Sequence, residues 1–175
     1  LLDPAAKTLI FVRTREDSTR LADSLAELGF AARPLSGDLN QRERTATLTA
    51  FRRDQTPILV ATDVAARGID VPTITHVFNF GLPMKAEDYT HRIGRTGRAG
   101  EAGLAVSFIT DESHAHFCLI EKRHQLCLTR EHVPGFEPQD EPPPSPGTGG
   151  IKGRRKSKKD KLREAAARAG GSVAR

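Results

Sequence analysis

The sequence contains no tryptophan, one tyrosine, one methionine and two cysteines in 175 residues. Cys118 and Cys127 lack the C-x-x-C spacing of a metal or redox pair, so they are expected to be buried or idle reduced thiols. No apolar run approaches the roughly 20 residues of a membrane-spanning helix, and no signal-peptide pattern opens the chain. The expectation is a soluble, cytoplasmic protein without a membrane partner. Aromatic residues are scarce, and most of the eight phenylalanines fall in apolar runs that read as core. That leaves little for stacking on nucleobases. A phosphate-binding loop of the form G-x-x-x-x-G-K-[ST] is missing, since no glycine is followed directly by lysine. The first apolar run is followed by Arg13-Thr-Arg-Glu rather than a Gly-x-Gly-x-x-Gly turn, which excludes a dinucleotide-binding domain. The chain opens on Leu1, directly in structured-looking sequence, and reads as a piece of something longer.

What charge there is lies unevenly. The formal net charge is +5. Through Thr129 the basic and acidic residues balance, so the whole excess belongs to residues 130–175. Any recognition by the balanced part must therefore rest on particular arginines and not on bulk basicity. Residues 134–150 are rich in proline and glycine, a composition that does not repay the entropy of ordering, and residues 152–163 are dense in lysine and arginine. The organisation expected is a folded domain over 1–129, a linker over 130–150, and a basic, disordered tail over 151–175.

Within the first part, short apolar runs alternate with helical patterns. Residues 8–12, 57–61, 76–80 and 103–109 read as strands, with a weaker one over 30–35. Thr14 with Asp17, and Asn40 with Glu43, read as capping boxes opening helices that run to Gly29 and Arg53. Further helical segments are expected after Asp63, over 86–93 and over 112–125. Strands written as unbroken apolar runs with helices between them indicate an α/β fold, a parallel sheet with helices on both faces.

Ligands of such sheets gather beyond the carboxyl ends of the strands. The residues found there are Arg13-Thr14, Ser36-Gly37-Asp38, Thr62-Asp63 and Arg67-Gly68-Ile69-Asp70, all small, polar or cationic. The sharpest signal is His91-Arg-Ile-Gly-Arg95-Thr-Gly-Arg98-Ala-Gly100, three arginines among three glycines with no acid between Asp88 and Glu101. Arg95 and Arg98, three apart, point the same way if the segment keeps helical curvature. Two neighbouring guanidinium groups repel, an arrangement that suits an anion between them, and their planar forks match phosphate oxygens. Arg44, one turn into the second helix behind Ser36-Gly37-Asp38, reads as part of a clamp on a nucleic-acid backbone, because helix N-termini offer free N–H groups to phosphate.

These segments resemble the DEAD-box group of ATP-dependent RNA helicases. Leu9-Ile-Phe-Val-Arg-Thr14 is similar to its motif IV, and Ser36-Gly-Asp-Leu-Asn-Gln-Arg-Glu-Arg44 to the Gln-x-x-Arg element that follows. Ala61-Thr-Asp-Val-Ala-Ala-Arg-Gly-Ile-Asp70 resembles motif V, Val77-Phe-Asn-Phe-Gly-Leu-Pro83 the strand before motif VI, and His91-Arg-Ile-Gly-Arg-Thr-Gly-Arg98 motif VI as DEAD-box proteins write it. The resemblance runs in the family's order over about residues 2–126.

It implies the C-terminal RecA-like half of such a helicase. Arg95 and Arg98 would be arginine fingers for the γ-phosphate, and His91 a link to the acidic motif of the other half. Gly68 and Asp70 would lie by the nucleotide ribose, and Thr62, Gly37, Arg44 and Arg13 would hold RNA phosphates. ATP with Mg2+ would be bound mainly by an N-terminal RecA-like domain. Asp-Glu-Ala-Asp does not occur here, so this segment alone is expected to be inactive. The partners implied are RNA, gripped by its backbone without regard to sequence, and that N-terminal domain. No metal ligand set is assigned. The rival reading is a non-catalytic RNA-binding or partner-binding module, to which the basic tail lends support.

Overall fold

The computed structural model describes residues 6–71, 73–98 and 100–136. The expected linker and basic tail lie largely outside these residues. Five strands and five helices alternate: β1 (Thr8–Phe11), α1 (Arg15–Glu27), β2 (Ala32–Leu35), α2 (Gln41–Arg52), β3 (Ile58–Ala61), α3 (Asp63–Ala66), β4 (His76–Asn79), α4 (Ala86–Ile93), β5 (Leu104–Ser107) and α5 (Asp111–His124). The strands form one parallel sheet in the order β2-β3-β1-β4-β5. The α/β fold expected from the apolar runs is the fold observed.

Side chains alternate across the sheet. Leu9, Phe11, Leu35, Leu59, Ala61 and Val77 form the larger core with Phe51 of α2 and Ala65 and Ala66 of α3. Val12, Ile58 and Val60 face the other way and pack with Ala22, Leu21 and Leu25 of α1. A third cluster joins Leu82 and Tyr89 to Phe117 and Ile120 of α5. At the amino end of the sheet Lys7 is buried, its ammonium group satisfied by Asp54, the Arg52 carbonyl and Thr73.

The caps explain the helix starts. The Asn40 side chain accepts from the Glu43 N–H at 2.9 Å while the Glu43 carboxylate accepts from the Asn40 N–H, the reciprocal box that the spacing predicts. At α1 only half of the expected box forms. Thr14 accepts from the Asp17 N–H, but the Asp17 carboxylate turns to Arg20.

Other differences come from tertiary context. The first helix, expected to run to Gly29, ends at Glu27, and Leu28 at its C-cap is 73% exposed. Cys118 and Cys127 are both exposed and form no disulfide, so the expectation of burial does not hold for either. The phenylalanines are not mostly core: Phe80 is 53% exposed and Phe108 45%, and Phe108 stacks on half-buried Phe78 and meets Phe80 edge-on, on one sheet face. Helices lie on both faces, and among the described residues the face of Ile10 and Val60 is covered by α1, which packs on β2 and β3.

Candidate functional site

The carboxyl ends of β1 and β3 and the helix α4 border a cavity of about 270 Å3 lined by Phe11, Asp63, Ala66, Arg67, Asp88, His91, Arg92 and Arg95. Two elements build it. Thr62 caps α3, accepting from the Ala65 N–H, and the chain then leaves through Gly68, whose φ of +74° is the left-handed conformation that glycine adopts freely. From the other side α4 ends at Gly94, and the backbone turns through Gly97 at φ +64°. A Cβ at Gly103 would overlap Thr96 and the Gly97 backbone, so the strand β5 returns against this turn and holds it.

Arg92 joins the two elements. It is 2% exposed, and its guanidinium donates to both Asp63 oxygens, Nε to Oδ1 at 2.6 Å and Nη2 to Oδ2 at 2.7 Å. Nη1 donates to Asn79 Oδ1 and to the Gly81 carbonyl, and the plane lies 4.9 Å from the Phe11 ring centroid. Asn79 in turn donates to Ser107 Oγ, which also contacts the Tyr89 hydroxyl. A charge so deeply buried is tolerable only when paired and hydrogen-bonded, as this one is at every nitrogen. The expectation that the three arginines lack acidic partners is therefore corrected: Asp63, distant in sequence, neutralises Arg92. Spacing puts Arg92 on the helical face of Tyr89, which the structure buries, but no local pattern points to Asp63 as the partner.

Arg95 and Arg98 differ from Arg92. Both are partly exposed, and the one carboxylate paired with either among the described residues is Asp70, in a long ion pair with Arg98. Arg95 Nη1 donates to the Ile69 carbonyl at 3.0 Å and Nε to the His91 carbonyl. Arg98 Nε donates to the Gly94 carbonyl at 2.7 Å, and its Nη1 stands 3.7 Å from Asp70, whose side chain is 88% exposed. Partial burial, and after it the neighbouring Arg98 charge, pushes the Arg95 guanidinium below its ordinary range, with Asp70 pulling the other way. It remains charged at any physiological pH. The structure thus brings Arg95, Arg98, Gly68 and Asp70 together, with His91 exposed on the cavity rim. Two partly buried cations side by side fit an anion. Among the described residues no group of three or more His, Cys, Asp or Glu stands together as a metal site.

The residues expected to hold a nucleic-acid backbone are more dispersed. Gly37 is exposed with open space around it. Asp38 beside it pairs with Arg15, so the clamp has an acid facing a cation of α1's first turn. Thr62 is buried, its hydroxyl committed as an acceptor to its cap. Arg44 points one amino group at the Ala65 and Arg67 carbonyls, tying α2 to the α3 loop. Arg13 is exposed and reaches Met84 Sδ at 3.3 Å.

Comparison with known proteins gives a consistent picture. The family described as helicase conserved C-terminal domain matches residues 1–100. The DEAD-box ATP-dependent RNA helicase RhpA of Helicobacter pylori (strain B128) is 42% identical over 124 residues, 70% of this chain and 25% of that protein. The ATP-dependent RNA helicase DBP3 of Mycosarcoma maydis is 47% identical over 110 residues, 63% of this chain and 19% of that protein. The chain therefore spans about a quarter or less of the length of these relatives. Among solved structures, the E. coli DEAD-box protein SrmB bound to regulator of ribonuclease activity A superposes with a TM-score of 0.74 at 36% identity, covering 81% of this chain and 84% of that one. S. cerevisiae Dbp5 bound to RNA and ADP BeF3 gives 0.64 at 38% identity, covering 67% and 32%.

Proposed function

Because the chain belongs to the helicase conserved C-terminal domain family, in its DEAD-box group, we propose that it supplies half of an ATP-hydrolysing, RNA-remodelling site whose other half is an N-terminal RecA-like domain. The observation that carries this reading is the Arg95–Arg98 pair. Both guanidinium groups stand at the ligand edge of the sheet, partly desolvated, held by backbone carbonyls and repelling each other. Carbonyl oxygens orient such groups without cancelling their charge, which leaves it available to a γ-phosphate.

In this reading Arg95 and Arg98 stabilise charge developing on the transferred phosphoryl group as the two domains close. Arginines in that role are worth about 10³–10⁵ in rate in related phosphoryl-transfer enzymes. Gly68 lets the backbone approach the nucleotide, and Asp70 accepts from its ribose. His91, on the cavity rim, contacts the partner domain. The chain lacks a phosphate loop, so Mg2+ and the triphosphate would be held mainly by the other domain. RNA would lie across Gly37, Arg13 and the amino ends of α2 and α3, gripped through phosphates and therefore without sequence preference. Nucleotide and RNA, each stabilising the closed arrangement, would raise each other's affinity.

The test is steady-state ATPase of the two-domain protein with and without RNA. RNA-stimulated hydrolysis is expected, and Arg95→Ala or Arg98→Ala should lower kcat by about 10³ with RNA affinity retained. A kcat left unchanged by both substitutions would remove the finger assignment.

A further inference from the structure

The helix that leads into Arg95 and Arg98 begins without a cap of its own. The N-cap of α4 is Lys85, which makes no side-chain cap hydrogen bond, and residues 82–85 before the helix are loop. Near the other end, Arg92 is bonded at every nitrogen. One locked residue fixes a point and not a direction. A helix held there alone could pivot, and the pivot would carry Arg95 and Arg98 with it.

The second fixed point comes from α5. His116 Nε2 lies 2.7 Å from the Pro83 carbonyl oxygen, and His124 Nε2 lies 2.6 Å from that of Ala86. A carbonyl only accepts, so each imidazole carries a proton on Nε2 and donates it. That proton is present in the Nε2–H tautomer and in the imidazolium alike, so acid does not break either bond. Both rings are half-buried. His116, Ile120 and His124 recur at four-residue spacing and share one face of α5, with buried Ile120 between the imidazoles. Phe117 and Ile120 pack on Leu82 and Tyr89, and the Tyr89 ring meets Phe117 edge-on at 5.7 Å. Apolar burial is non-directional and tolerates sliding, whereas two short hydrogen bonds set the register. Arg123 adds an ion pair to Glu87 at 3.0 Å, but both side chains are more than half exposed, so it contributes little.

We propose that His116 and His124 are positioning residues for Arg95 and Arg98. Together with Arg92 they give α4 two fixed points, so that the turn following the helix presents both guanidinium groups in one orientation. This rests on the phosphate-directed role proposed for those two arginines.

The experiment uses two paired variants. His116→Leu with His124→Leu removes both donors and keeps apolar bulk, while His116→Gln with His124→Gln returns an N–H at the reach of Nε2. In the 175-residue chain the amides of residues 89–93 should exchange at least about tenfold faster in the leucine pair, and at the parental rate in the glutamine pair. In the two-domain protein the leucine pair should lower kcat for ATP by about 10- to 100-fold, the scale of a misplacement of about an ångström. KM for ATP and RNA affinity should hold, and the glutamine pair should restore kcat. With Arg95→Ala and Arg98→Ala already in place, the leucine pair should lower kcat no further, because positioning acts only through those side chains. Unchanged exchange in α4, a kcat that glutamine does not restore, or a further loss without the two arginines would overturn the proposal. So would faster exchange beside a kcat indifferent to Arg95→Ala and Arg98→Ala, and the fault would then lie in the finger assignment.

Discussion

Single residues divide the three motif arginines into two kinds. Arg92 is consumed by the fold, while Arg95 and Arg98 stay partly exposed, held by backbone carbonyls and, for Arg98, a long ion pair to Asp70. Removing the carboxylate from Asp63 leaves a buried guanidinium unpaired, so Asp63→Ala should cost about 3 kcal/mol or more, read as a fall in the urea midpoint at constant slope. Arg98→Ala, with Asp70 exposed and 3.7 Å away, should leave that midpoint within about 0.5 kcal/mol. Gly37 offers a different separation. Open space surrounds it, so Gly37→Ala should be neutral or stabilise by about 0.4–1 kcal/mol. If RNA approaches this backbone as proposed, the same substitution weakens RNA binding. Unchanged affinity in a filter-binding titration would take Gly37 out of the interface.

Elements were the scale at which the sequence was most legible. Apolar runs, the Asn40–Glu43 box and Gly29 set strand and helix limits to within one or two residues, because each signal is local. What escaped depends on neighbours distant in sequence. Nothing near Arg92 announces Asp63, and nothing in Arg44 announces that its amino group would be drawn to the α3 carbonyls. The residues of β5 read as a buried strand, yet Leu104 and Ala105 are exposed, since apolar character records what a strand needs and not what happens to lie over it. The end of α5 is fastened by a bond that no local pattern foretells. Glu121 accepts from Arg130 at 2.6 and 2.9 Å and from the Leu128 N–H, which folds the following segment back along the helix. The Arg130 hydrogen bond, with the Leu128 N–H and the arginine charge, holds the Glu121 carboxyl below its ordinary range against the opposing effect of burial. A depressed folded pKa gives stability that is present above the unfolded glutamate value and is lost as pH falls through the folded one. Glu121→Gln should therefore flatten the acid side of the stability–pH curve, measured by thermal unfolding from neutral pH downward.

For the whole molecule, the charge balance through Thr129 against the basic excess beyond it makes salt the discriminating variable. If residues 152–163 neutralise RNA phosphates, truncation after residue 136 should flatten the dependence of log affinity on log salt. On a duplex the change is nearly one unit for each phosphate that the tail had neutralised. Identical slopes for the two lengths would assign binding to the folded part alone.

The guanidinium of Arg92 has a mechanical consequence. Because it spans from α4 to the start of α3 and is gripped at every nitrogen, the two ligand-facing turns cannot separate without exposing an unpaired ion to a nonpolar interior. They form one stiff jaw. If Asp70 meets a ribose as proposed, a force applied there would be carried beneath Arg95, and any swing between domains would occur outside this jaw.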